Sequence, residues 1–134
     1  MYIEVTAAII IDEEGKCLIA KRKQGSHLEG LWEFPGGKIE EGESKEDCLQ
    51  REILEELGLT IKVKAPFMSV EHSYGEKNIR LHSFLCDSVS GDAALNDHDE
   101  IAWITASEFE EYEFAPADIP IVTKILEDYT AALK

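Results

Sequence analysis

A chain of 134 residues with 44% hydrophobic and 31% charged residues is long enough to bury a real core and too apolar to be disordered, so a single domain over residues 1–134 is expected. Its 28 Asp plus Glu against 13 Lys plus Arg leave a net charge of −15, which argues against a protein that coats a nucleic acid polymer, because backbone binding needs clustered cations. A small phosphate-bearing ligand remains compatible with such a surface, since a bound divalent metal reverses the local charge.

Val5 to Ile11 is an almost continuous apolar run that predicts a buried strand, and Asp12-Glu13-Glu14-Gly15 is a turn into its hairpin partner at Cys17–Ala20. Trp32 and Phe34 alternate with Leu31 and Glu33 ahead of Pro35, predicting a short strand that delivers a glycine loop. Lys45–Leu57 has a helical pattern. Further strands are predicted at Ile61–Val63, Phe67–Glu71, Ile79–Cys86 and Ile101–Ile104, with a short helix near Glu108–Tyr112 and a closing helix at Ile119–Leu133. Strands on both sides of a central helix, with another helix last, imply an α/β fold with a mixed sheet between helices. Cys17, Cys48 and Cys86 have no paired spacing, so neither a disulfide framework nor a zinc site is expected. The N-terminus carries no basic leader region and no stretch long enough to span a membrane, which makes a reducing cytoplasm the default expectation.

The most informative stretch is Gly36-Gly37-Lys38-Ile39-Glu40-Glu41-Gly42-Glu43, followed by Arg51-Glu52-Ile53-Leu54-Glu55-Glu56-Leu57-Gly58-Leu59. Ser44 and Asp47 have the spacing of a capping box, and Gly58 suits the left-handed position after the last turn. At ~100° per residue, Leu49, Ile53 and Leu57 form an apolar stripe, and Glu52, Glu55 and Glu56 fall within an arc of ~100° beside it. Glu56 projects almost in line with Leu49, at the margin of the core. Carboxylates crowded at such a margin need pairing, and a cation in front of them satisfies all three at once. The alternative is an acidic, solvated helix face.

In order and spacing, about nine positions between Gly37 and Leu59 resemble the Nudix box, with Gly37, Glu43, Arg51 and Gly58 as its structural members. The resemblance implies the Nudix fold, an α/β/α sandwich, and cleavage of a nucleoside diphosphate linked to a further moiety. It also implies Mg²⁺, with Mn²⁺ as a substitute, held by Glu52, Glu55, Glu56 and the carbonyl of Gly36. Glu52 is the first candidate for general base, and Lys38 would steady the charge of the attacked phosphate. Arg51 is expected as the internal counter-charge, pairing with Glu43. A further acid often comes from a loop before a late strand. Register counted back from Trp103 points to Asp97, although an acidic loop without a ligand role stays open, and His98 beside it reads as a loop residue.

Outside the box, Leu31 to Glu40 and the tail Phe114-Ala115-Pro116-Ala117-Asp118-Ile119-Pro120 resemble the MutT-like branch, and most closely its CTP pyrophosphohydrolase members. This implies a small nucleotide substrate, of the CTP or dCTP kind or oxidised such as 8-oxo-dGTP, cut to the monophosphate and pyrophosphate by a monomer or homodimer. Val5 and Ile79 match the positions that sandwich the base, the backbone near Phe34 and the side chain of Asp118 would read its edge, and Arg22 matches a phosphate-contacting position. An ionised Asp118 only accepts hydrogen bonds and favours a base with an amino donor, whereas a protonated one resembles Asn. Asp118 is also well placed to cap the last helix, and sequence alone leaves both roles open. Arg80 is a weaker phosphate candidate, and His27, His72 and His82 show no ligand spacing. ADP-ribose or another dinucleotide remains an alternative substrate. A non-catalytic nucleotide sensor is the reading from another class, and the intact Glu52, Glu55 and Glu56 speak against it.

Overall fold

The computed structural model describes residues 1–91 and 98–128. Six strands, β1 (Tyr2–Ile11), β2 (Cys17–Arg22), β3 (Trp32–Glu33), β4 (Thr60–Tyr74), β5 (Lys77–Ser90) and β6 (His98–Ile104), form one mixed sheet. Helix α1 (Lys45–Leu57) lies on one face, and α2 (Ile119–Asp128) with a 3₁₀ segment at Ala106–Glu111 lies on the other. β1 runs parallel to β5 over its whole length, so Ile3 stands beside Ile79 and Val5 beside Leu81. Alternation then sorts the faces. Ala8, Ile10, Leu18 and Phe84 pack against Leu49, Ile53 and Leu57 of α1. Ala7, Ile9 and Ile19 pack with Trp32, Phe34, Phe114, Ile121 and Ile125 on the opposite side. The result is the α/β/α layering expected from the sequence. Among the described residues, no helix is long and apolar enough to cross a membrane.

β2 meets β1 only at the hairpin end, where Ile11 pairs with Cys17, and pairs instead with β3 and β6. That divergence leaves one edge of β1 open, and the segment 35–39 fills it. Ala8 N–H donates to the Pro35 carbonyl (2.7 Å), Thr6 and Gly37 exchange backbone bonds at 2.8 and 3.1 Å, and Ile39 N–H donates to Glu4 (3.0 Å). The glycine loop is thereby fixed to the sheet as an added edge, not left as a free loop.

Several boundaries differ from those read in the sequence. The two strands expected at 61–63 and 67–71 are one strand, β4, with irregular register between Val63 and Ala65 and between Pro66 and Met68. Pro66 has no N–H for the ladder, and the bulges absorb the interruption. Phe34 lies beyond β3, which is only Trp32–Glu33. β6 starts at His98, earlier than expected, because His98 pairs with Arg22 of β2 past a bulge. The short helix near residue 108 is 3₁₀, started by a capping box in which Thr105 and Glu108 satisfy each other's end groups. The closing helix is described to Asp128, and its expected continuation to Leu133 lies outside the described residues.

Candidate active site

Helix α1 has defined ends. The Ser44 hydroxyl accepts from Asp47 N–H (3.0 Å), and Gly58 takes a left-handed conformation with φ 68°, from which its N–H bonds the Leu54 carbonyl. Cys48, on the buried face of α1, reaches the carbonyls of Gly37 and Lys38 and the Thr6 hydroxyl, so helix and loop share one interface. Gly36 is sterically required, whereas a side chain at Gly37 would force Glu52 aside. A Cβ at Gly36 would overlap the Thr6 carbonyl, and one at Gly37 would overlap the Glu52 carboxyl. Glu52 therefore lies directly against the loop.

Arg51 is the centre of the charge arrangement. Its guanidinium grips Glu43 with two bonds, Nε to Oε2 at 2.7 Å and Nη2 to Oε1 at 3.0 Å, a forked geometry that Lys cannot reproduce. The same group contacts Glu52 at 2.9 Å and Glu55 at 3.2 Å, and donates to the Lys38 carbonyl at 3.4 Å. Held in this way, Glu43 has its pKa lowered to about 2, chiefly by the Arg51 hydrogen bonds, and Arg51 is pushed further up by Glu43 and then Glu52. Glu56 is buried, while Glu55 is largely exposed.

One cavity of about 510 Å³ runs from this helix across the sheet. Glu52, Glu56, Gly36, Gly37 and Lys38 line one end; Phe34, Asp118, Arg22, Glu33 and Tyr74 line the other. Between them Ile3, Val5, Ile79 and Leu81 make a floor in which residues of β1 and β5 stand side by side. Val5 and Ile79 were expected there; Ile3 and Leu81 follow from the same alternation once the parallel register is known.

Asp118 does not cap α2. It ends a 3₁₀ turn at Pro116–Asp118, and its Oδ2 accepts the Phe34 N–H at 2.8 Å inside the cavity. Burial pushes this carboxyl well above the usual carboxylate range, and Glu33 nearby pushes it further. The ionised acceptor considered from sequence is thus disfavoured. A neutral Asp118 offers one acceptor and one O–H donor, as an amide side chain would.

Arg22 lines the cavity but does not present a bare guanidinium. Its Nη1 bonds Glu33 Oε1 and its Nε bonds the His27 carbonyl, each at 2.6 Å. The other Glu33 oxygen takes His98 Nε2 at 2.9 Å, and His98 is buried, not a loop residue. Glu33 was missed in the sequence, although alternation around the buried Trp32 and Phe34 already directed it away from the core. Arg80 lies elsewhere, bonded to Glu4 and Glu71 and stacked on Tyr2. His82 bridges Glu4 and Ser69, while His27 and His72 pack on Tyr74. Asp97 lies outside the described residues.

Residues 6–124 match the family model for the NUDIX domain. The chain belongs to the Nudix family. Among its Nudix relatives, the CTP pyrophosphohydrolase of Escherichia coli K12 is 39% identical over 120 residues, covering 90% of this chain and 88% of that protein. The 8-oxo-dGTP diphosphatase of the same organism is 28% identical over 92% of this chain and 95% of its own length. The solution structure of the Escherichia coli ORF135 protein superposes with a TM-score of 0.85 at 37% identity, covering 97% of this chain and 92% of that one. Nudix hydrolases use divalent metal ions and act on small nucleotides. The donors available here, Glu52, Glu55, Glu56 and the Gly36 carbonyl, are all oxygens, which suits a hard cation. As they stand, no three His, Cys, Asp or Glu side chains among the described residues converge on one point, since Glu52 and Glu55 each give an oxygen to Arg51.

Proposed function

We propose that this Nudix hydrolase cleaves nucleoside triphosphates, of the CTP or dCTP kind or oxidised such as 8-oxo-dGTP, to the monophosphate and pyrophosphate. The observation that carries this reading is the continuity of one cavity from the carboxylates of α1 to Asp118 and the Phe34 amide. A triphosphate placed along it has its phosphates toward Lys38 and Glu52 and its base toward Asp118. The names of the relatives support the same class of substrate. Gly36, Glu52, Glu55, Glu56 and Asp97 would hold Mg²⁺, which when bound offsets phosphate charge and acidifies water.

The protein's own groups divide the remaining work. Glu52, pressed against Gly37, accepts the proton of the attacking water as general base. Lys38 places a positive charge beside the attacked phosphate, and Arg51 holds Glu52 in place. Ile3, Val5, Ile79 and Leu81 give the base an apolar surface, while the Phe34–Asp118 pair supplies both a donor and an acceptor at its edge. That edge suits cytosine and 8-oxoguanine alike, so the pocket narrows the substrate to a class.

The test is nucleoside monophosphate release, with pyrophosphate measured as the co-product, across a panel of canonical and oxidised nucleoside triphosphates, beside AMP release from ADP-ribose, in Mg²⁺ or Mn²⁺ and in EDTA. Metal-dependent release from a cytosine or 8-oxoguanine triphosphate supports the proposal. No turnover of any triphosphate at high Mg²⁺ sinks it, and faster turnover of ADP-ribose moves the chain to the other substrate class.

A further inference from the structure

Tyr74 is the last residue of β4 and pairs with Lys77 across the hairpin turn at Gly75-Glu76. From that position its side chain touches two other segments that carry the cavity's polar groups. The Tyr74 hydroxyl accepts the Ala117 N–H at 2.9 Å, one residue from Asp118. Its ring receives His27 edge-on, with centroids 5.1 Å apart and planes at 85°. His27 in turn gives its carbonyl to Arg22 Nε at 2.6 Å. Tyr74 itself lines the cavity.

We infer that Tyr74 is a positioning residue for base recognition, clasping the loop that orients Arg22 and the turn that orients Asp118 onto the tip of the β4–β5 hairpin. The argument is one of constraint. The turn at 115–118 is a single 3₁₀ turn, held locally by the Asp118 N–H to Ala115 carbonyl bond and the Ile119 N–H to Pro116 carbonyl bond. A turn that short has little stiffness of its own. The Ala117 amide is buried, and without the phenol oxygen it would lose its partner, which favours any rearrangement that regains one. Such a rearrangement moves Asp118 relative to the Phe34 amide. The ring contact acts similarly on His27 and, through its carbonyl, on Arg22. Two groups from distant parts of the sequence therefore share one anchor, and the sharpness of base discrimination depends on it through Asp118.

This inference rests on the proposed nucleotide reading. Its test compares wild type, Tyr74→Phe, Tyr74→Leu, Asp118→Ala and the Tyr74→Phe/Asp118→Ala double variant. Turnover is measured with CTP and 8-oxo-dGTP, and calorimetric binding with CMP and 8-oxo-dGMP. Tyr74→Phe removes one oxygen and leaves the ring, so folding is preserved. It should raise KM for the better substrate about fivefold with a smaller change in kcat, and narrow the ratio of kcat/KM between the two nucleotides. Tyr74→Leu should raise KM further, because the His27 contact goes as well. In the Asp118→Ala background, Tyr74→Phe should narrow the ratio no further, since its route to the base has already been removed. An unchanged ratio in Tyr74→Phe, or full additivity in the double variant, overturns the inference. If the wild type hydrolyses no triphosphate, the functional reading fails, and the monophosphate binding ratios decide about Tyr74: equal ratios, or no binding, overturn it.

Discussion

Gly37 and Glu52 occupy the same space, in the sense that a methyl group on one would overlap the carboxyl of the other. The loop is anchored by its bonds to Thr6, and α1 is anchored by Leu49, Ile53 and Leu57, so neither can withdraw cheaply. Gly37→Ala should therefore displace the Glu52 carboxylate while the fold survives. A displacement of about 1 Å at a reacting group costs on the order of 100-fold in rate, and kcat should fall by about that much. A crystal structure of the variant with Glu52 unmoved, or a wild-type rate, would contradict this.

Glu52→Gln keeps the volume and the Gly37 contact but removes the basic oxygen. Turnover should drop by roughly 10²- to 10⁴-fold, with KM changed far less. Steady-state kinetics on the best nucleotide of the panel read both numbers. A rate near wild type would take the base role away from Glu52.

The Arg51–Glu43 pair should show in acid. Glu43 titrates at about 2 in the folded chain, against about 4.3 for an unperturbed glutamate, so its contribution to stability is present above the unfolded value and lost as pH falls through the folded one. Glu43→Gln should melt below wild type near neutral pH, and the gap should close between about pH 4 and about pH 2. Thermal melts across that range check it; a gap that is constant with pH would show that the carboxylate charge is not what holds the loop.

Asp118 gives the opposite slope. Its folded-state pKa is raised, so folding takes up a proton, and stability declines as pH rises from the unfolded value of about 3.9 toward the folded one. Asp118→Asn carries no such cost and should melt higher than wild type near neutral pH, with the difference vanishing near about pH 4. Asp118→Ala leaves the Phe34 N–H without its partner and should reduce base discrimination about tenfold. Equal melting of wild type and Asp118→Asn across the range would mean that Asp118 is ionised in the folded chain.

The helix and its loop were legible in the sequence because their constraints are local. Ser44, Gly58 and the Leu49–Ile53–Leu57 stripe follow from helical periodicity, and Glu52, Glu55 and Glu56 share a face through the same arithmetic. The end of the cavity beside Phe34 and Asp118 was harder to read. Val5 and Ile79 are 74 positions apart and Phe34 and Asp118 are 84 apart, so their meeting depends on parallel pairing and on where the last turn folds back. Glu33, His98 and Tyr74 went unrecognised for the same reason: each acts through a partner on another strand or loop. β4 was divided in two because Pro66 interrupts its pattern, and the bulges that rescue it arise only from pairing with β5.

By itself the sequence determined the family, the glycine loop, the capped helix and the row of acids, since residues a few positions apart on one helix cannot avoid one another. Only the tertiary structure decided what Asp118 is. A short carboxylate ahead of a helix caps it when the chain leaves it in water. Here the fold carries it into the core beside Phe34, where desolvation favours its neutral form and its carboxyl bonds the Phe34 N–H instead of a helix end.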